Sequence, residues 1–251
     1  ACVPGQVRCE NDAFSRCLPD GSGWQPDLQC EDGLDCSADG CVALCDRAVA
    51  ERSYIGCDYW AVTTLNSQLD GSFAVSLVVA NPQLVSAELQ LERAGAVLVR
   101  RTLAPAEIAV LPLPRVEALM NPGQGQPAGS TLLAQGAYFL RSSVPVVVHQ
   151  FNPLEHQVDT ACTYPGLLQE VEGDRCRSYS NDASLLLPVH ALGRTYLAMG
   201  RPGLLNGIDG SMTGAPGFVT LVGADPAGPV RVQVRASTDL SASREGTPVA
   251  A

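Results

Sequence analysis

Ten cysteines in 251 residues, seven of them within the first 45, set the strongest limit on what this chain can fold into. Cys2, Cys9, Cys17, Cys30, Cys36, Cys41 and Cys45 follow the spacing C-x6-C-x7-C-x12-C-x5-C-x4-C-x3-C, with Gly, Pro, Asp and Ser between them and almost no aliphatic run. A stretch of about 45 residues with so little apolar material cannot fold by packing alone, and covalent bridges that restrict its unfolded state supply the difference. Zinc is the rival use of such sulfurs, but the stretch has no C-x2-C pair and no nearby His to complete a ligand set. Parity favours disulfides. With Cys57 the front set makes eight, which leaves Cys162 and Cys176 as a natural pair, while the connectivity among the eight stays open.

These cysteines predict an oxidising, extracellular address. The chain opens on Ala1-Cys2 with no basic and apolar leader, so a signal peptide is expected to have been removed. An Ala-Cys start also fits a lipid anchor at Cys2, a reading that would leave one front cysteine unpaired. Sixteen basic residues, all Arg, stand against 26 acidic ones, for a net charge of −10. No basic tract is present to displace counterions from a phosphate polyanion, so nucleic acid and anionic membrane are poor partners. Apolar residues make up 46% and charged residues 17%, too apolar for a disordered chain, and no run approaches the roughly 18 residues of a membrane span.

The texture divides the chain. Residues 1–46 form an acidic, disulfide-stapled module with nine acidic residues and two Arg, and a short helical period covers Val42 to Glu51. From Tyr54, β-branched and apolar runs cut by Gly, Pro and Asn predict strands at Tyr59–Leu65, Phe73–Ala80, Ser86–Glu92, Val97–Thr102, Ile108–Pro112, Ala137–Arg141 and Val144–Phe151. Ala87, Leu89 and Leu91 would face a core while Glu88, Gln90 and Glu92 face solvent. Met120–Thr131, rich in Gly, Pro and Gln, predicts a long loop. A first β unit would thus span 53–160, a disulfide-closed insertion 161–179, and a second, unfinished β unit 180–251 with strands at Tyr196–Gly200, Gly217–Gly223 and Val230–Ala236. The expected fold is all-β, antiparallel and sandwich-like in two repeats, with propeller blades as the alternative. The unfinished unit suggests the front of something longer.

Two segments carry a resemblance. SYIGCDYWAV at Ser53–Val62, and HQFNPL at His149–Leu154 followed by SNDASLLLP and HALG within Ser180–Gly193, resemble the IgGFc-binding protein N-terminal domain family. The match rests on Tyr54, Gly56, Cys57, Tyr59, Gln150, Phe151, Asn152, Ser180, Asn181, Asp182, Ala183 and Ser184. A Cys-x-Pro-Gly start, as at Cys2–Gly5, precedes this domain in secreted or surface proteins of myxobacteria and their relatives. The resemblance implies an extracellular β-rich binding domain; it does not imply antibody as the ligand.

Catalytic and metal chemistry are thinly provided for. Ser184, Asp182 and His190 supply the residue types of a hydrolase triad, but no G-x-S-x-G elbow occurs to expose a nucleophile. His149 and His156 with Glu155 and Asp159 could offer ligands to a transition metal, although His149 ends a valine strand and reads as a sheet residue. Calcium could be met by Asn206, Asp209 and Asp225, yet no D-x-D-x-D-G run is present and Asn-Gly and Asp-Gly pairs are turn formers. Tyr54, Tyr59 and Trp60 beside Cys57 read as core at a domain entrance, and Trp24 as a module residue that is either exposed or packed on disulfides. The functional expectation is an extracellular binding or adhesion protein, not an enzyme and without a cofactor, whose partner is an unknown protein or polysaccharide. A structural spacer in a surface fibre is the alternative, and a secreted hydrolase follows.

Overall fold

The computed structural model describes residues 1–10, 13–37, 40–66, 69, 71–120, 131–162, 169–172, 175–178, 181–199, 204–206, 213–215, 218–225, 228, 230–235 and 237, without side chains at 10, 28, 169–172, 204–206 and 213–215. The front of the chain is a small antiparallel sheet of β1 (Val7–Glu10), β2 (Ala13–Cys17) and β3 (Trp24–Gln29) beside the hairpin β4 (Leu34–Ser37) and β5 (Gly40–Ala43). Among the described residues here, buried apolar side chains are few: Phe14 and Cys17. Cross-links take the place of a core. Cys2 bonds Cys17, Cys9 bonds Cys36 and Cys30 bonds Cys41, with Cα separations of 5.8, 5.5 and 5.5 Å, inside the span a disulfide requires. Because the Cys2 sulfur is held by Cys17, the lipid-anchor reading of Cys2 is corrected: the atom an acyl group would occupy is already bonded.

The helical period around Val42 becomes α1 (Leu44–Ala50), a bridge between the module and the larger sheet. Cys45, on α1, pairs with Cys57 rather than with a front cysteine. The fourth disulfide therefore ties module to sheet. The same helix is anchored from the module side, since Arg47 bridges Asp35 and also Glu51, the latter at 2.8 Å.

Beyond it lie β6 (Gly56–Ala61), β7 (Val75–Ala80), β8 (Ala87–Arg93), β9 (Ala96–Leu103), β10 (Ile108–Leu113), the short helix α2 (Glu117–Met120) and the long β11 (Tyr138–Phe151). After them come β12 (Gln157–Val158), β13 (Gln169–Glu172), β14 (Arg175–Ser178) and β15 (Ala183–Leu185). Seven strands make one curled antiparallel sheet: β10-β7-β11-β8-β9 form its path, and β6 and β15 also pair with β11. The two strands expected at Ala137–Arg141 and Val144–Phe151 are one. The first half of β11 lies between β6 and β8, and its second half between β15 and β7. The change of neighbours falls at Ser142–Pro145, where the β6 register shifts. Pro145 has no N–H for a ladder, and its carbonyl instead accepts from Gln83 Nε2 at 2.9 Å.

Alternation explains why both halves close on one core. Tyr138, Leu140, Ser142, Val144, Val146, Val148 and Gln150 of β11 all point inward. They meet Val75, Leu77 and Val79 of β7, Ala87, Leu89 and Leu91 of β8, and Ala109, Leu111 and Leu113 of β10 in a single cluster. Tyr59 fills the gap left by the register shift: its hydroxyl accepts from Gly56 N–H at 2.8 Å and donates to Val146 O at 2.5 Å. The fold is all-β, and its strand order is that of a curled sheet whose halves face each other, not of separate propeller blades.

β12, β14 and β13 form a three-stranded patch closed by Cys162–Cys176, where Cys176 packs with the buried Leu69 and Phe73. The second β unit differs from expectation. Among the described residues after β15 the strands are only β16 (Leu204–Asn206) and β17 (Thr213–Ala215), a two-stranded hairpin. Described parts of Tyr196–Gly200, Gly217–Gly223 and Val230–Ala236 carry no strand pairing, and their large apolar side chains stand in solvent. Their sequences suit a sheet, but among the described residues no neighbouring strand is in place to accept the ladder. Of the loop expected at Met120–Thr131, Met120 instead closes α2 as a buried residue, and 121–130 lie outside the described residues.

Candidate binding face of the sheet

Because β6, β11, β8 and β9 run side by side, their outward residues fall into cross-strand rows about 5 Å apart from strand to strand. Register places Trp60, Phe139, Glu92 and Val97 in one row and Asp58, Arg141, Gln90 and Arg100 in the next. A third pair follows, in which Thr102 donates to Glu88 at 2.9 Å. The rings of Trp60 and Phe139 lie 4.8 Å apart, tilted at 44°. Arg141 sits 5.2 Å over the Phe139 ring and reaches Asp58 at 3.4 Å. Gln90 donates to Glu92 on the same face.

Each of these contacts joins residues that the ladder sets directly opposite or two apart. The face therefore comes ready-shaped: a half-exposed aromatic pair bordered by carboxylates, an amide and guanidinium groups of both signs. Trp60 was expected in the core; it points outward because it alternates with the inward Tyr59 and Ala61. Its Nε1–H is shielded from solvent and among the described residues meets no acceptor. The expected aromatic cluster is split, since Tyr59 is fully buried and Tyr54 is 62% exposed. Burial pushes the Tyr59 phenol up to about 12, the Gly56 hydrogen bond opposing only in part. Burial likewise raises Tyr138, against the neighbouring Arg93. Trp24, in the module, is half-buried with Arg8 4.5 Å over its ring.

The residues that carry the family resemblance gather along the β6–β11–β15 seam. Gly56 leaves no room for a side chain: a Cβ there would stand 2.5 Å from Pro188 Cβ and 2.7 Å from His190 Cε1. Gln150 accepts from Val62 N–H at 3.1 Å, and Asn152 donates to Thr64 O and Oγ1 at 3.0 and 2.9 Å. Phe151 and Gln150 pair with Ala183 and Ser184, while Asn181 and Asp182 lead exposed into that strand. Cys57 holds Cys45, and Ser180 lies outside the described residues. Tyr59, Gln150 and Asn152 bind the backbone to itself, whereas Tyr54 and Asn181–Ser184 stand exposed.

The other candidates do not assemble. His190 Nε2 is 2.8 Å from Ser53 O, and among the described residues no hydrogen bond joins it to Ser184 or Asp182. His149 points outward in mid-sheet and His156 is exposed; among the described residues no three His, Cys, Asp or Glu side chains are grouped to hold a metal. Asp209 and the Asn206 side chain lie outside the described residues. A groove of about 650 Å³ where module meets sheet is lined by Asp32, Gly33, Leu84, Val85, Pro105 and Ser143, and opens to solvent. Among the described residues no helix is long and apolar enough to cross a membrane.

Compared with known proteins, the chain matches no family model, no curated protein and no solved structure.

The sequence missed Phe139, Arg141, Asp58 and Arg100 as surface partners. Their alternation was legible, but the β6–β11 register that sets Trp60 beside Phe139 and Asp58 beside Arg141 joins residues about 80 apart and leaves no local signal.

Proposed function

We propose that this protein is an extracellular binding or adhesion protein that grips a neutral polysaccharide on the outward face of β6, β11, β8 and β9. The supporting observation is the Trp60–Phe139 pair, half-buried on the outward face and set among hydrogen-bonding groups of both signs. The C–H face of a pyranose ring is weakly positive and packs against the negative face of an aromatic ring. Its hydroxyls both donate and accept, so they suit a border of carboxylate, amide and guanidinium groups. Charge favours the same partner. Asp58, Glu88 and Glu92 are nearly balanced by Arg100 and Arg141, which offers a polyanion or a polycation no advantage.

Five disulfides fit an extracellular address, and the resemblance to a family of extracellular binding domains agrees with it. Affinity electrophoresis of the full chain through gels containing cell-envelope or matrix polysaccharides tests the reading. Retardation by a neutral polysaccharide is expected, and Phe139→Ala and Trp60→Ala should each weaken it by roughly tenfold or more, the effect of losing about 1.4 kcal/mol. Equal retardation of both variants and the wild type would remove this face from the function.

The spacer reading has its own support, in the exposed apolar surfaces on the other half of the sheet.

A further inference from the structure

The row of outward residues that holds the aromatic pair runs across the strands. Trp60 on β6, Phe139 on β11, Glu92 on β8 and Val97 on β9 are successive partners in register, so the row has four positions, one per strand, spaced by about 4.8 Å. Two residues further along the same strands, about 7 Å away, Asp58, Arg141, Gln90 and Arg100 form a parallel row. The first row is aromatic or aliphatic at three of its four positions, and the second is charged or amide at all four. A pyranose polymer joined equatorially at both ends of each ring matches both rows. It is a flat ribbon with C–H groups on its faces and hydroxyls along its edges, and each unit advances it by nearly the spacing of two strands, about 5 Å. An axial link turns each ring out of the plane of the last, so a coiled glucan sets one ring on the aromatic pair and loses the rest of the row.

We infer, resting on the carbohydrate reading proposed above, that the polysaccharide held on this face is extended and diequatorially linked, lying across the strands with one sugar per strand and four in all. Trp60 and Phe139, their rings 4.8 Å apart, take the first two units by their C–H faces. Glu92 accepts from a hydroxyl of the third. Val97, 42% exposed on the last strand of the path, meets the fourth. In the free protein Arg141 lies 5.2 Å over the Phe139 ring, where the second unit would sit. Its ion pair with Asp58, 3.4 Å long, joins side chains that are about half exposed, so moving it costs little. The freed guanidinium then donates to the hydroxyl edge of the ribbon, beside Gln90 and Arg100 in the same row.

Two sets of ligands test it with the full chain. In affinity electrophoresis, hydroxyethylcellulose and glucomannan should retard the protein, and glycogen and dextran should not. In titration calorimetry on the cello-oligosaccharides, affinity should rise roughly tenfold from cellobiose to cellotetraose and by less than about twofold from there to cellohexaose. Val97→Asp sets a carboxylate beneath the fourth unit. With circular dichroism and thermal midpoint unchanged, this variant should bind cellotriose as the wild type does and lose the gain from cellotriose to cellotetraose. Retardation by glycogen or dextran as strong as by the extended polymers would overturn the linkage while leaving carbohydrate binding on this face in place. A plateau already at cellobiose, or a Val97→Asp variant with an unaltered length profile, would overturn the path across the strands. Retardation by none of the four polymers would overturn the carbohydrate reading itself, and the extended ligand with it.

Discussion

Within the single strand β11, Phe139 and Arg141 stand outward among Trp60, Asp58, Gln90 and Glu92, whereas Val147 and His149 stand outward among Val78, Val110 and Leu185. One half of the sheet thus shows a mixed aromatic and charged face, the other an apolar one. The inward row does not change: from Tyr138 to Gln150 every second residue meets the same core. Stability is carried in common while the outward positions are free to differ. The bend at Ser142–Pro145 gives the two faces different neighbours, and each can therefore serve a different contact.

If that division holds, a change on the shared inward row should damage both faces at once. Leu140→Ala opens a cavity at a fully buried site and should cost about 2–5 kcal/mol, seen as a lower denaturation midpoint with loss of polysaccharide retardation and faster hydrogen exchange in β7 and β10 together.

Next in size is Tyr59→Phe, which leaves Val146 O and Gly56 N–H without their partner and should cost about 1–3 kcal/mol. It also sharpens the pH dependence. Tyr59 holds its proton up to about 12 when folded, whereas an unfolded tyrosine releases it near about 10. Stability is therefore full below about pH 10 and falls as pH rises through about 12. The variant should lose most of that alkaline decline, leaving the part due to Tyr138, as urea titrations at stepped pH would measure.

A smaller effect, confined to one side, is expected of Gly56→Ala. Its methyl group would displace Pro188 and His190, loosening the seam beside β15. Hydrogen exchange should quicken at residues 183–191 and hold steady in β8 and β9. Smallest is Arg141→Ala: a half-exposed ion pair contributes little, so the midpoint should stay within about 0.5 kcal/mol while polysaccharide retardation weakens. A variant that unfolded the sheet would contradict the separation of face from core.

Much of this was legible beforehand. The even cysteine count and the apolar-poor front segment required bridges, and all ten cysteines are paired, with Cys162 joined to Cys176. The alternation of Ala87, Leu89 and Leu91 with Glu88, Gln90 and Glu92 marked which side of β8 is buried. Other features were hidden. Asn81 is buried and donates to Val85 O, Leu103 O and Ala104 O, fastening the β7–β8 corner to the end of β9. Trp60 was placed on the wrong side, because an aromatic beside a cysteine suits either face.

The chain's own letters determined its composition-driven needs: staples where apolar groups are scarce, strands where apolar residues alternate, and no positive tract for phosphate. These are local properties, set by side-chain chemistry and a period of two. Only tertiary structure decided that Cys45 reaches Cys57, that one bent strand serves both halves of the sheet, and that Trp60 stands beside Phe139. Those outcomes depend on contacts such as Tyr59 with Val146, 87 residues apart. Such contacts are chosen by which partners are available to fill a space, and a one-dimensional pattern carries no measure of that.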